Sequence, residues 1–268
     1  MGVRGVLRPA SDLERGLPAR PPVRDGSRDE PVPLVTAAPA AVLYSNPRSV
    51  FDIIGPQMIG PSSSHTAGAL RLGLLARALL GRTPDRARIG LHGSFATTYQ
   101  GHGTDRAVTA GLLGMAPDDR RIPASLKVAA EEGLAVEFEP VDLGPAAHPN
   151  TLVFDLEAGG HAARLVGASV GGGAVKVTEV NGREVELTGE FDTLLIVARD
   201  VPGTTAEITR LLAERGVNIA FLEVGRVKRG GEATIIVEAD HPIPEDVVMA
   251  VRAYEWVRFA RRLQKVTD

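Results

Sequence analysis

An α+β fold is what this sequence predicts: a mixed α/β domain over about 48–188, followed by a smaller domain over 190–268. Three observations carry that reading. Leucines recur at helical spacing through "HTAGALRLGLLARALLG". A series of strand-like segments follows, joined by the two-residue turn signals Gly159-Gly160 and Asn181-Gly182. After Gly189 the pattern restarts as strand, helix, strand, strand, helix, strand, the ferredoxin-like βαββαβ plan.

Each element has its own signal. Residues 1–47 are rich in Pro, Arg and Ala without helical or strand period, and read as a disordered tail with no chemical role. Asp12, Glu14, Asp25, Asp29 and Glu30 argue against a targeting peptide there. "SVFDIIG" is a short apolar stretch ended by Gly55-Pro56. The first helix is expected over 65–80, stopped by Gly81. "ARIGLHGS" reads as a strand running into a tight loop. "TDRAVTAGLLGM" starts a second helix, with Thr104 as N-cap and Asp105 favourable in the first turn. "PASLKVAAEEG" is a third, with Pro123 at its start and Gly133 at its end. Strands follow in "LAVEFEPVD", "NTLVFDLEAGGHAARLVGASV" and "AVKVTEVNGREVEL". In the last domain, the first helix places Ile208, Leu211 and Leu212 on one face with Gly216 just past its end. Lys228–Gly231 reads as a hairpin between two β-branched runs.

Composition narrows the function. Apolar content of 44%, charged content of 24% and a net charge of −3 describe an ordinary soluble chain, with no signature of a nucleic-acid or anionic-membrane binder. No apolar run approaches the ~18 residues of a bilayer span, and with no signal peptide the cytoplasm is expected. The sequence has no cysteine. That excludes disulfides, thiol nucleophiles, thiolate zinc sites and an iron–sulfur cluster held by this chain alone.

Chemistry concentrates in "GPSSSHTAGALRLG". A helix start carries unpaired N–H groups and partial positive charge, usually met by an acid in the first turn. No acid occurs between Asp52 and Asp85. Such an end favours an external anion, and Ser62, Ser63, Ser64 and Thr66 add hydroxyls to hold a small carboxylate. Gly60-Pro61 bends the chain into the site, and Gly68 permits close approach. His65 can exchange a proton near neutral pH, and a helix start disfavours its cation. Serines before a helix are also common N-caps, so one of them is expected to cap. A second cluster, "LHGSFATTYQGHGTD", places His102 between two glycines before a helix; a flexible turn is the plainer reading. The third, "HPNTLVFDL", is a turn by itself. No histidine pair has helical metal-site spacing, so no metal site is expected in this chain.

Four blocks, "SVFDIIGPQMIGPSSSHTAGALRLG", "LHGSFATTYQGHGTDRAV", "HPNTLVFDL" and "VGGGAVKVTEVNG", resemble in order and spacing the β chain of iron–sulfur L-serine dehydratase over about 48–188. That region is also similar to the allosteric substrate-binding domain of some phosphoglycerate dehydrogenases. The segment with "RDVPGTTAEI" and "GVNIA" resembles an ACT domain, an amino-acid-binding regulatory module. The resemblance implies conversion of L-serine to pyruvate and ammonia, a role in amino-acid metabolism and gluconeogenesis, and a [4Fe–4S] cluster in place of pyridoxal phosphate. It implies that cluster cysteines belong to a separate α subunit. It further implies that the serine run and Thr66 bind the substrate carboxylate, His65 is the α-proton base or its immediate partner, His102 is a second candidate, and Asn150 orients substrate. In the ACT-like module, Asp200, Gly203 and Asn218 are the expected effector contacts, with homo-association through the same module. The alternative is a non-catalytic amino-acid sensor that binds serine and controls a partner.

Overall fold

A computed structural model describes residues 57–267; the tail over 1–47 and "SVFDIIG" lie outside the described residues. The first helix starts two residues earlier than its sequence pattern indicates. A π-helical turn, Ser63–Gly68, leads directly into α1, Ala69–Leu80. Gly81 at φ 88 ends α1, its N–H donating to the Arg77 carbonyl at 2.8 Å.

Strand β1, Arg86–Leu91, follows. Residues expected to form a tight loop instead make a short helix, α2, Ser94–Thr98. Helix α3 spans Thr104–Leu112, and a 3₁₀ turn, Ile122–Ala124, opens α4, Ser125–Glu131. The expected N-cap at Thr104 is displaced: Gly103, at φ 69, takes that position, and Thr104 is the first helical residue with its side chain buried. The left-handed backbone suits glycine, and the branched Thr104 side chain packs inward where it cannot reach the free N–H groups.

The first sheet comprises β2 (Ala135–Pro140), β3 (Thr151–Ala158), β4 (His161–Gly171), β5 (Ala174–Val180) and β6 (Arg183–Leu187) beside β1. Their order is β2-β1-β3-β4-β5-β6. β1 and β2 are parallel, joined by the helical crossover; the other neighbours are antiparallel. Gly159 (φ 53), Gly160 (φ 79), Asn181 (φ 49) and Gly182 (φ 76) supply the paired positive φ that two-residue hairpins need.

The second sheet is β7 (Asp192–Arg199), β8 (Ile219–Arg226), β9 (Glu232–Ala239) and β10 (Val257–Leu263), in the order β10-β7-β9-β8. Helices α5, Thr204–Glu214, and α6, Glu245–Arg252, complete the βαββαβ unit. Ile208, Leu211 and Leu212 pack with Leu194, Ile196, Ile235 and Val237 into its core. Leu195, Ile236 and Leu263, one residue out of phase, belong to the other core, with Leu72 and Leu75 of α1. The two faces of this sheet thus serve two cores.

Two glycines set the spacing of α1 and α3. A Cβ on Gly73 would lie 2.7 Å from the Val108 carbonyl oxygen, and one on Gly111 2.2 Å from that of Leu70. The helices run in the same direction: Thr66 meets His102 at one end, and Arg77 passes Gly114 at the other. Both N-termini therefore open at the same place.

Candidate functional site

Gly60, at φ 147, folds the chain over Thr66; a Cβ there would stand 2.3 Å from Thr66 Cγ2. Beyond Pro61, Ser62 is extended, and its Oγ accepts the His65 N–H at 3.1 Å. Ser62 is thus the N-cap. No acid stands in the first turn. Ser63 and Ser64 are half-buried, and their hydroxyls make no hydrogen bond among the described residues. Thr66 is turned inward: it is 3% exposed, and its hydroxyl donates to the His102 carbonyl at 3.5 Å. Gly68 admits the buried side chain of Ser169, whose Oγ would lie 2.1 Å from a Cβ at that position.

His65 is half-buried between two hydroxyls. Its Nε2 is 3.3 Å from Ser94 Oγ, and its Nδ1 3.5 Å from Ser62 Oγ. The Phe95 ring packs edge-on at 5.1 Å, and the His102 ring lies 4.8 Å away, tilted by 34°. Burial, and then the neighbouring His102, push the His65 pKa below the usual histidine value of 6.5. A neutral ring at neutral pH keeps a nitrogen lone pair available.

His102 is exposed, with Nδ1 3.2 Å from the Thr98 carbonyl oxygen. A carbonyl only accepts, so Nδ1 carries a hydrogen toward it, and Nε2 is the other ring position. Asn150 follows Pro149 in the loop that meets Ser94. Ser94 N–H donates to the Pro149 carbonyl at 2.8 Å, and the Asn150 carbonyl accepts the Ser169 N–H at 2.9 Å. The half-buried Asn150 side-chain amide makes no hydrogen bond among the described residues.

The fold therefore gathers Ser62, Ser63, Ser64, His65 and His102 at two parallel helix N-termini, and Ser94 ties the neighbouring Pro149, next to Asn150, to the cluster. Asp105 offsets part of the positive end of α3, whereas α1 has no such acid. The arrangement suits a small carboxylate beside a neutral imidazole. Reading the sequence missed Ser94 as the partner of His65, because the two are 29 residues apart and no spacing rule joins them.

The expected effector residues are divided. Asp200 Oδ2 accepts from Arg226 Nη1 at 2.8 Å and from the Gly230 N–H at 3.0 Å. The Gly230 N–H first, and Arg226 second, hold its carboxyl below the usual range. Gly203 (φ 94) caps α5 close by in sequence. Asn218 instead donates to Asp240 at the opposite end of β8, about 26 Å away at ~3.3 Å per residue. Within one chain the three do not form a single site, because the helix between them crosses the length of the sheet.

The sequence has no cysteine, and the described residues hold no group of three or more His, Asp or Glu placed to bind a metal ion. The side chains present do not fit an iron–sulfur cluster. No helix among the described residues is long and apolar enough to cross a membrane.

The family model described as serine dehydratase beta chain matches residues 49–180, and that described as ACT domain matches 193–255. The chain is 44% identical over 201 residues to the probable L-serine dehydratase, beta chain, of Bacillus subtilis, covering 75% of this chain and 91% of that one. It is 38% identical over 209 residues to the L-serine dehydratase, beta chain, of Peptoniphilus asaccharolyticus, covering 77% and 94%. It is 26% identical over 217 residues to a D-3-phosphoglycerate dehydrogenase of Synechocystis sp., covering 80% of this chain but 39% of that one.

Proposed function

This chain belongs to the serine dehydratase beta chain family, with an ACT domain behind it, and from that premise we propose that it is the β subunit of an L-serine ammonia-lyase, acting with a cysteine-bearing α subunit to convert L-serine to pyruvate and ammonia. A [4Fe–4S] cluster belongs in this reading to the α subunit, since this chain offers it no thiolate.

This chain's own part is to hold serine and move a proton. The substrate carboxylate lies against the acid-free start of α1, where backbone N–H groups and the hydroxyls of Ser63 and Ser64 receive it. Ser62, already capping, fixes the first turn. Neutral His65 takes the α-proton, oriented by Ser94 and Ser62. His102, whose ring centre lies 4.8 Å from that of His65, passes the proton on. Asn150 presents its amide to the substrate, and Thr66 is a positioning residue that ties the α1 start to His102. The observation that carries the reading is His65 itself, kept neutral between two hydroxyls where two helix N-termini converge.

The ACT domain supplies a second copy's contact. Strand β8 is a sheet edge whose Phe221, Leu222 and Val224 are exposed. Antiparallel pairing of β8 with β8 of another copy brings Asn218 of one to the Asp200–Gly203 end of the other, which completes the divided effector site.

The test is anaerobic co-expression with the α subunit, assayed by pyruvate formation. His65→Ala is expected to lower kcat by about 10²–10⁴ with assembly intact. Full activity in that variant removes the base assigned here.

A further inference from the structure

A cleft of about 460 Å³ opens between the two sheets, within the ~300–1,000 Å³ range of ligand pockets. Its walls are Leu79 and Leu80 of α1, His161 of β4, Asn181 of the β5–β6 turn, Arg252 of α6, and Arg258, Phe259 and Arg261 of β10. Three guanidinium groups and an imidazole line it, and no carboxylate does among the described residues.

The charges are poorly compensated. Glu245 is 3.8 Å from Arg252 Nη1, the one carboxylate that reaches this group among the described residues. Arg258 is exposed and has no hydrogen bond or ion pair among the described residues. Arg261 donates from Nη2 to the Leu80 carbonyl at 3.3 Å, while its Nε is buried without a partner. Burial, and then Arg252, pull the Arg261 pKa down, with Glu245 opposing and Arg82 adding to the repulsion. Like charges gathered around a cavity, with a buried donor left open, describe a site completed by an anion. Arginine forks pair two at a time with phosphate or carboxylate oxygens.

We propose that this cleft is a second ligand site, taking a small multiply charged anion, a phosphate ester or polycarboxylate, between the catalytic-type domain and the ACT domain. It lies apart from the serine–histidine cluster and from the Asp200 and Asn218 ends of the ACT sheet. Its ligand touches the C-terminal end of α1, the helix whose first turn carries His65. Occupancy would therefore bear on the substrate end through a single rigid element.

The experiment is calorimetric titration of the full chain at constant ionic strength with inorganic phosphate and with citrate. Saturable one-site binding of at least one anion is expected, weakened at least tenfold in Arg258→Gln and partly recovered in Arg258→Lys. The relative affinities of the two probes distinguish a phosphate ligand from a polycarboxylate. Because the Arg258 side chain has no partner among the described residues, Arg258→Gln is expected to unfold at the wild-type temperature when no anion is present. Absence of saturable binding by both probes, or undiminished binding in folded Arg258→Gln, overturns the proposal. The readout needs neither the α subunit nor turnover, so it stands or falls apart from the serine reaction.

Discussion

His65 is a half-buried histidine whose neutral form the fold protects. Its pKa lies below 6.5 because burial and His102 oppose the cation. The stability this provides is complete above the unfolded value and is lost as pH falls through the lowered folded value. With His65 as the proposed base, the acid limb of the kcat/KM profile is expected below pH 6.5. Replacing His102 by Gln removes one of the two causes, so that limb is expected to move to higher pH; an unmoved limb would mean that the profile belongs to another group. Ser62→Ala removes the side-chain cap and is expected to cost about 1 kcal/mol, measured by urea unfolding. Glu238 has the opposite sign. It is 6% exposed, and its Oε1 has no partner among the described residues. Burial first, then Glu190 and Glu223, raise its pKa to about 7. Its protonated form is the one the fold accepts, so this contribution is present below the unfolded value of 4.5 and is lost as pH rises through about 7. Glu238→Gln is expected to raise the thermal midpoint at pH 8 and to change it much less at pH 5. Equal effects at both pH values would show that the carboxyl is ionised throughout.

At the scale of elements, the site depends on how closely α1 and α3 approach. Gly111 sits against the Leu70 carbonyl, and Gly73 against that of Val108. Any side chain at Gly111 forces the helices apart, and with them His65 and His102. Gly111→Ala is expected to destabilise the chain by about 1–3 kcal/mol and to lower kcat as well, although residue 111 touches neither histidine. Thermal melts and pyruvate assays on the same preparation check both. The π-helical entry of α1 belongs to this scale too. It places the serine run and His65 on a turn wound differently from the helix they introduce, a distortion that recurs at functional sites.

Across the whole molecule, the second sheet is divided between two cores. Leu195, Ile236 and Leu263 pack with α1, and the ion pair of Arg183 and Glu232 links β6 to β9. The described chain is therefore expected to unfold in one cooperative transition in urea, with fluorescence from Trp256 and far-UV circular dichroism coinciding. Two separated transitions would show that the sheets are independent domains.

Much of the architecture was legible because it is local. The leucine period of α1, the Asn181-Gly182 hairpin and the βαββαβ restart are set by neighbouring residues and recur in the fold as read. The short α2 was hidden because glycines and hydroxyl residues around Ser94 look like a loop until the Pro149 carbonyl accepts its N–H. Thr104 looked like a cap because residue type alone does not reveal the left-handed turn at Gly103.

For this protein, the sequence by itself determined the elements other than α2, the absence of thiolates, and the acid-free helix start beside His65. Only the tertiary structure decided that Ser94 and His102 meet His65, that Asp200 and Asn218 lie at opposite ends of a sheet, and that the arginines of α6 and β10 surround one cleft. The physical reason is range. Propensity, capping and turn chemistry act over a few residues along the chain, whereas these contacts follow from helix spacing and sheet order, which packing alone fixes.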